Sequence, residues 1–188
     1  MRAGICCAAV LIGAMGVAGK AAAAEDNSSR ARLISLAQET DFPYSPIEKA
    51  DLVVVVKSAR TLSLFKDNHA IATYSVTFGA DPVGHKQEEG DERTPEGRYT
   101  LDYKKSTSGY HKSIHISYPN ARDIESAKKR GVSPGGAIMI HGQRNGLGWL
   151  SVVSRHFNWT NGCIALADSD LDSVWNAVDV GTPIEIKP

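Results

Sequence analysis

Residues 137–166 read AIMIHGQRNGLGWLSVVSRHFNWTNGCIAL, and this segment combines core-forming runs with two reactive side chains. Its first four residues are apolar and predict a buried strand that ends at His141 and Gly142. Near its other end, Asn161, Gly162 and Cys163 lead into a second apolar run. A histidine and a cysteine are therefore each placed at the edge of a core element, as a thiol nucleophile and its base usually are.

The composition is that of one globular domain. With 188 residues, 42% of them hydrophobic, the chain is long enough for one domain with a substantial core and too short for two. The 21 Lys and Arg residues balance the 21 Asp and Glu residues. Because no basic cluster is interleaved with aromatic residues, the sequence predicts no nucleic-acid partner.

Residues 1–24 have the pattern of a secretory signal peptide. Arg2 provides a positive start, residues 5–18 are apolar, and three alanines precede Glu25 in the form of a cleavage site. The apolar run is too short for a membrane-spanning helix, and no later segment approaches the roughly 20 apolar residues that spanning requires. We therefore expect an exported, soluble mature protein, periplasmic or in the cell envelope, without a transmembrane segment.

Signal cleavage would leave Cys163 as the sole cysteine, because Cys6 and Cys7 lie in the signal. A single thiol cannot form an internal disulfide, and an unpaired thiol is a liability in an oxidising compartment. One interpretation is a small buried hydrophobic residue, and the other is a reactive thiol. The residues around Cys163 favour the reactive thiol.

The patterns predict a mainly β fold with a few helices. Residues 25–50 are interpreted as an N-terminal helical arm, and the mainly β domain is placed at 51–188. Within that domain, strands are predicted at 52–57, 61–66, 70–79, 98–105, 113–118, 137–140 and 183–187. Helices are predicted at 120–130 with Asn120 as cap, at 147–157, and from 168 or 169 to about 178.

The segment 79–97, GADPVGHKQEEGDERTPEG, is rich in glycine, proline and charge and has no periodicity. We interpret it as a surface loop whose charged side chains are solvated, namely Lys86, Glu88, Glu89, Asp91, Glu92 and Arg93. Residues 94–97 form a turn that positions the next strand. A long loop in a compact domain often belongs to a binding site, so this one is a candidate rim for a substrate groove.

The base must precede the cysteine, because no histidine follows Cys163. This order is the reverse of that in papain-like peptidases, and the absence of an arginine after Cys163 argues against a sortase-type site. The candidates are His69, His85, His111, His115, His141 and His156. His141 is the predicted base, because it ends a strand beside a glycine that permits close approach to the ring. His115 lies inside a strand and is a candidate for lining the cleft.

Several motifs together resemble one known family. His141-Gly142 is followed 22 positions later by Cys163 in the pattern T-x-G-C-I. The chain also has P-x-G-x-K at 82–86, GD-x-RTPEG-x-Y at 90–99, SYPN at 117–120, SPGG at 133–136 and GTP at 181–183. In this order, over residues 51–188, they resemble the L,D-transpeptidase catalytic domain, also called YkuD-like, and most closely its murein transpeptidase subgroup.

The resemblance implies a β-sandwich or barrel fold and cysteine-dependent acyl transfer on peptidoglycan stem peptides, in cell-wall cross-linking, remodelling and cell shape. Cys163 would be the nucleophile, His141 the general base, and the backbone N–H groups of Gly162 and Cys163 the oxyanion hole. The second imidazole nitrogen of His141 is expected to bind a backbone carbonyl near Gly142. Gly142, Asn161, His115 and Trp159 are the candidate substrate contacts.

Two positions depart from the family pattern. Many members have His or Arg directly before the Gly-Cys pair and an arginine two residues after the cysteine, where this chain has Asn161 and Ala165. Neither residue supplies a charge, so the stabilisation of a thiolate and the choice of acceptor can differ here. Asn161 is retained as a candidate substrate contact.

Three functions remain compatible with the sequence. The first is transpeptidation to an amine on another stem peptide or on a wall-attached lipoprotein. The second is hydrolysis of the same thioester, as in an amidase or carboxypeptidase that trims stem peptides or releases attached lipoprotein. The third is a noncatalytic wall-binding domain. No metal or other cofactor is expected, because His141 and Cys163 lack further ligands at a recognised spacing and Asp168, Asp170 and Asp172 read as the start of a helix.

Overall fold

A computed structural model describes residues 48–154 and 157–188. The predicted signal peptide and nearly all of the predicted N-terminal arm lie outside the described residues, as does His156. No helix in the described part of the chain is long and apolar enough to cross a membrane.

Within these described residues, eight strands and two ten-residue helices account for most of the regular structure. The strands are β1 (Leu52–Val56), β2 (Thr61–Lys66), β3 (His69–Ser75), β4 (Gly97–Lys105), β5 (Ser113–Ile116), β6 (Met139–His141), β7 (Ile164–Ala165) and β8 (Pro183–Lys187). The helices are α1 (Ala121–Arg130), the single-turn α2 (Ser151–Ser154), which follows a 3-10 turn at Gly148–Leu150, and α3 (Asp168–Ala177).

The strands form one curled sheet in the order β3-β2-β1-β8-β4-β5-β6-β7. The β1-β8 and β6-β7 pairs are parallel, whereas the others are antiparallel. Beyond β3, Thr77 bridges Ala165 and Gly79 bridges Thr160, so the chain leaving one edge strand reaches the strand at the other edge. This curvature brings the loop after β3 next to Cys163.

Alternation along the strands separates the core from the face that carries the site. Ile114, Ile140 and Ile164 are fully buried, and together with Leu171 and Val174 of α3 they belong to the hydrophobic core. Successive strand residues point to opposite faces, so Met139 and His141 project away from the side chain of Ile140. The β5-β6 register pairs Ser113 with His141 and His115 with Met139 on that same face.

Most predicted elements are confirmed, with differences at their ends. The helix cap at Asn120 is present: its side chain accepts from the N–H groups of Arg122 and Asp123, and Asp123 bonds back to the N–H of Asn120. The predicted strand 70–79 ends at Ser75 and continues only as isolated bridges. The predicted helix 147–157 is wrong as one element, because the described part has only the 3-10 turn and the single turn of α2.

Candidate active site

His141 ends β6, and Cys163 directly precedes β7, the neighbouring parallel strand. The β6-β7 register pairs Ile140 with Ile164 and His141 with Ala165, which places Cys163 beside Met139. The Cys163 sulfur lies 3.4 Å from the N–H of Met139, which donates to it, and 3.7 Å from the carbonyl of Ala137. Both side chains line one cleft of about 350 Å³.

The imidazole of His141 is fixed by its own turn. His141 is only 2% exposed, and its Nδ1 lies 2.7 Å from the carbonyl oxygen of Gly142. A carbonyl can only accept, so Nδ1 carries the proton and Nε2 is the basic nitrogen. The contact with a carbonyl near Gly142 that the sequence predicts is therefore present.

Two aromatic rings cover His141. The Tyr110 ring is tilted over the imidazole with 4.1 Å between ring centres, and Trp159 meets it edge-on at 5.6 Å. The Tyr110 loop is held in place by His111 and Lys112, which bind the Asp172 carboxylate at 2.8 Å and 2.7 Å. Tyr110 could not be identified from sequence patterns, because its loop carries no periodicity and its contact with His141 spans 31 residues.

Burial shifts both the Cys163 thiol and the His141 imidazole toward their neutral forms. Burial lowers the pKa of His141, although the hydrogen bond with Gly142 opposes this. Burial raises the pKa of the Cys163 thiol, while the N–H of Met139 and the positive charge of Lys86 oppose the rise. The resting pair at neutral pH is accordingly a thiol and a neutral imidazole, which suits proton transfer during attack rather than a preformed ion pair.

The turn before Cys163 needs glycine at position 162. Gly162 has φ of +100°, and a Cβ added there would lie 2.5 Å from the carbonyl oxygen of Arg93. The Thr94 hydroxyl donates to the Gly162 carbonyl at 2.9 Å, and the Thr160 hydroxyl donates to the Cys163 carbonyl at 2.7 Å. Two threonines thus fix the peptide groups on both sides of the cysteine.

The prediction that the charged side chains of the 79–97 loop are solvated is wrong for two of them, Lys86 and Asp91. Lys86 is 3% exposed, and its ammonium group binds the Asp91 carboxylate at 2.7 Å and the Glu88 carbonyl at 3.0 Å. Asp91, whose side chain is 11% exposed, also accepts from the N–H groups of Gln87, Glu88 and Arg93. The burial of this ion pair could not be predicted from composition, because a buried ion pair and an exposed one consist of the same residue types.

The remaining candidate residues lie at different distances from the thiol. Trp159 and the exposed Asn161 line the Cys163 cleft, and Asn161 also borders a second cleft lined by Lys86, Gly135 and Gly136. His115 lies on β5, the strand that pairs with β6, where it binds Asp102 at 2.6 Å and stacks on Tyr103. Gly142 is buried and faces Asp168 and His111 rather than the cleft. Within the described residues, no group of three or more His, Cys, Asp or Glu side chains is arranged to hold a metal ion.

The L,D-transpeptidase catalytic domain, YkuD, is the family whose model matches residues 50–186 of this chain. The chain belongs to this family, and its curled, mainly β sheet with helices confirms the predicted fold class.

Individual relatives agree with this assignment. "Putative L,D-transpeptidase YafK" from Escherichia coli K12 is 27% identical over 132 residues, which are 67% of this chain and 46% of YafK. The chain therefore spans less than half of the curated relative that it matches. The helical cell shape determining protein Pgp2 from Campylobacter jejuni is 26% identical with a TM-score of 0.56, over 73% of this chain and 48% of Pgp2.

A more distant structure shares the fold. L,D-transpeptidase 3 from Mycobacterium tuberculosis, solved in complex with a faropenem-derived adduct, is 16% identical with a TM-score of 0.51. The match covers 73% of this chain and 60% of that one.

Proposed function

We propose that this protein is an exported peptidoglycan L,D-transpeptidase that transfers a stem-peptide acyl group through a thioester on Cys163. The observation that carries the proposal is the shared cleft, into which two parallel strands present a thiol and an imidazole whose Nδ1 is held by a carbonyl. Residues 1–24 would serve as the signal peptide and 51–188 as the catalytic domain. The family match over 50–186 supports this domain boundary.

In the first half-reaction, the Cys163 sulfur attacks the carbonyl carbon that precedes a terminal D-amino acid. His141 Nε2 takes the thiol proton as the carbon–sulfur bond forms, and the carbonyl oxygen becomes an oxyanion. When the tetrahedral intermediate collapses, the bond to the D-amino acid breaks and its nitrogen takes the proton from His141. The product is a thioester on Cys163 and a free D-amino acid.

The oxyanion would be held by backbone N–H groups at Gly162 and Cys163. A trans peptide places its C=O and N–H on opposite sides, so the Thr94 bond to the Gly162 carbonyl directs the Cys163 N–H away from Thr94. A preformed donor of this kind is worth about 2.7–4 kcal/mol of transition-state stabilisation in other acyl-transfer enzymes.

In the second half-reaction, an acceptor takes the acyl group. An amine attacks the thioester, its proton passes to His141, and the thiol is restored. The acceptor would be a stem peptide or a wall-attached lipoprotein. Clefts of about 350 Å³ meet at Asn161 from two directions, which supports room for a donor and an acceptor at once. The likeness to Pgp2, a helical cell shape determining protein, supports a role in cell shape.

The alternative outcome is hydrolysis, in which water resolves the same thioester and the protein trims stem peptides or releases attached lipoprotein. The two outcomes share Cys163 and His141 and differ only in what reaches the acyl-enzyme. The exposed position of Asn161 beside the thiol leaves the site open to water as well as to an amine.

Product analysis after incubation with purified wall fragments tests the proposal. Fragments that carry tetrapeptide stems, alone and with attached lipoprotein, are digested after incubation and identified by mass spectrometry. Transpeptidation predicts new 3–3 cross-links or peptide–lipoprotein links, whereas hydrolysis predicts tripeptides or released lipoprotein. Unchanged fragments, or products that also form with Cys163→Ala, would contradict an activity at this cysteine and leave the wall-binding alternative.

A further inference from the structure

We infer that Asp168 is a positioning residue that acts on His141 through the peptide group between Gly142 and Gln143. The carbonyl of this peptide binds His141 Nδ1 at 2.7 Å, and its N–H donates to Asp168 Oδ1, also at 2.7 Å. One amide therefore connects a carboxylate to the imidazole. The inference deepens the proposed function, because it rests on His141 being the base.

The Asp168 carboxylate is directed at this peptide rather than at its own helix. Asp168 is the first residue of α3, and the preceding Ala167 makes no side-chain cap. The positive end of the helix dipole lies at this position, and there the Asp168 carboxylate accepts from the Gln143 N–H. Asp168 is thus a fixed negative charge at the outer end of the amide.

Two glycines leave the space that the carboxylate occupies. A Cβ added to Gly142 would lie 2.5 Å from Asp168 Oδ1, and one added to Gly148 would lie 2.6 Å from Oδ2. Larger residues at either position would displace the carboxylate. Gly142 therefore serves the contact between Asp168 and the turn, which gives a physical reason for the glycine that follows the histidine.

The amide itself is held from both sides. The Gln143 side chain donates to the Leu166 carbonyl at 3.1 Å and accepts from the Ser154 hydroxyl at 3.0 Å. The N–H of Leu166 in turn donates to the His141 carbonyl at 2.9 Å. Because Gln143 is buried and fixed in this way, the peptide group between Gly142 and Gln143 cannot rotate away from His141 or from Asp168.

Polarisation along this chain of bonds favours the imidazolium. An anion at the N–H end increases the negative charge on the amide oxygen, which strengthens its bond with Nδ1–H. The effect is largest when His141 becomes positively charged during attack by Cys163. Asp168 therefore orients the ring, selects the tautomer with Nε2 free and stabilises the transition state, as a directly bound carboxylate does in a Ser-His-Asp triad.

The test uses Asp168→Asn in the full chain, with Asp170→Asn as the matched control. Asn keeps an acceptor for the Gln143 N–H but removes the charge, whereas Asp170→Asn removes a charge from the same helical turn at a residue that does not accept from the Gln143 N–H. In an NMR titration, the pKa of His141 should be lower in Asp168→Asn than in the wild type, and it should be unchanged in Asp170→Asn. Alkylation of Cys163 by iodoacetamide at neutral pH should slow about 10- to 100-fold in that variant, within the range for lost outer-shell carboxylates.

A second measurement needs no substitution. In the wild-type protein, the Gln143 amide proton should shift with the same midpoint as the His141 ring when pH is varied, because both belong to one polarised chain. Equal His141 pKa values and alkylation rates in Asp168→Asn and wild type would overturn the inference. So would a Gln143 amide proton whose chemical shift does not change as His141 titrates. None of these readouts uses a wall substrate, so failure of the proposed activity is seen separately.

Discussion

The Thr94 hydroxyl and the Gly162 carbonyl, 68 residues apart, form a buried hydrogen bond of 2.9 Å directly beneath Cys163. This bond joins the loop before β4 to the turn that carries the cysteine. It fixes the peptide whose N–H belongs to Cys163, which in the proposed mechanism faces the oxyanion.

Thr94→Val should therefore impair acyl transfer more than it impairs folding. Valine has nearly the same shape but leaves the Gly162 carbonyl without its donor, which costs about 1–3 kcal/mol of stability. A misplaced oxyanion donor should slow acylation on the order of 100-fold. Thr94→Ser, which restores the hydroxyl, should recover most of the rate, and equal rates in the Val and Ser variants would show that the bond has no catalytic role.

Gly162→Ala tests whether the cysteine turn depends on close packing against the loop. The matched control is Gly181→Ala, since Gly181 has a similar φ of +98° but nothing within 4 Å of an added Cβ. Backbone strain costs about 1–3 kcal/mol at either position. The contact with Arg93 adds about 1–3 kcal/mol of overpacking at position 162 only. Denaturant unfolding should thus give a lower free energy of unfolding for Gly162→Ala than for Gly181→Ala. Similar free energies of unfolding would contradict the packing described here.

Lys86→Met tests the buried charge near the thiol. The positive charge of Lys86 counteracts the rise in the Cys163 thiol pKa that burial causes. Without this charge, that pKa should rise further above its ordinary value. The variant should also lose about 3 kcal/mol of stability, because Asp91 loses its ion-pair partner. Lys104→Met removes an ammonium group that binds the carbonyls of Trp175 and Val178, and it should leave the thiol pKa unchanged. A pH titration of thiolate absorbance in both variants checks this.

The pH dependence of Cys163 alkylation should distinguish a neutral pair from a thiolate–imidazolium pair. The pKa of the thiol is raised and the pKa of His141 is lowered, so little thiolate exists at neutral pH. The iodoacetamide rate should therefore keep rising with pH beyond pH 9, the ordinary pKa of a cysteine thiol, without a plateau below it. A rate plateau reached between pH 4 and 6, typical of a preformed ion pair, would contradict this picture.

The lowered pKa of His141 should also make the free energy of unfolding depend on pH. Burial lowers the pKa of His141 in the folded chain below the ordinary value of 6.5, so the unfolded chain binds a proton first as pH falls. The stability that the neutral ring provides is present above pH 6.5 and is lost as pH drops through the folded pKa. Compared with His141→Gln, the wild-type protein should lose more free energy of unfolding between pH 7 and 5, as measured by urea denaturation.

Sequence patterns predicted the strands well where alternation is regular. β1, β2 and β8 alternate between core and exterior, and their predicted bounds differ from the observed ones by at most one residue. The placement of β8 between β1 and β4 was not predicted, because it depends on contacts between residues more than 80 positions apart. Periodicity reports which face of a strand is buried, but not which strand lies beside it.

The sequence predicted that His141 and Cys163 come together, as they do at one cleft, because each ends or begins a core strand next to a glycine. The residues that support them were not predicted. Thr94 and Lys86 looked like loop residues, and Asp168 looked like an ordinary acidic helix start. Their contacts with Gly162, Asp91 and Gln143 arise only when the sheet curls and brings the loop and α3 to the strand ends.

Intact-mass spectrometry with faropenem tests the central claim most directly. The wild-type protein should gain the mass of one covalent adduct, and peptide mapping should place it on Cys163. Cys163→Ala should gain nothing, and His141→Ala should react far more slowly while keeping its fold. An unmodified wild-type protein, under conditions in which the Mycobacterium tuberculosis enzyme is modified in parallel, or an adduct on Cys163→Ala, would contradict a nucleophilic Cys163.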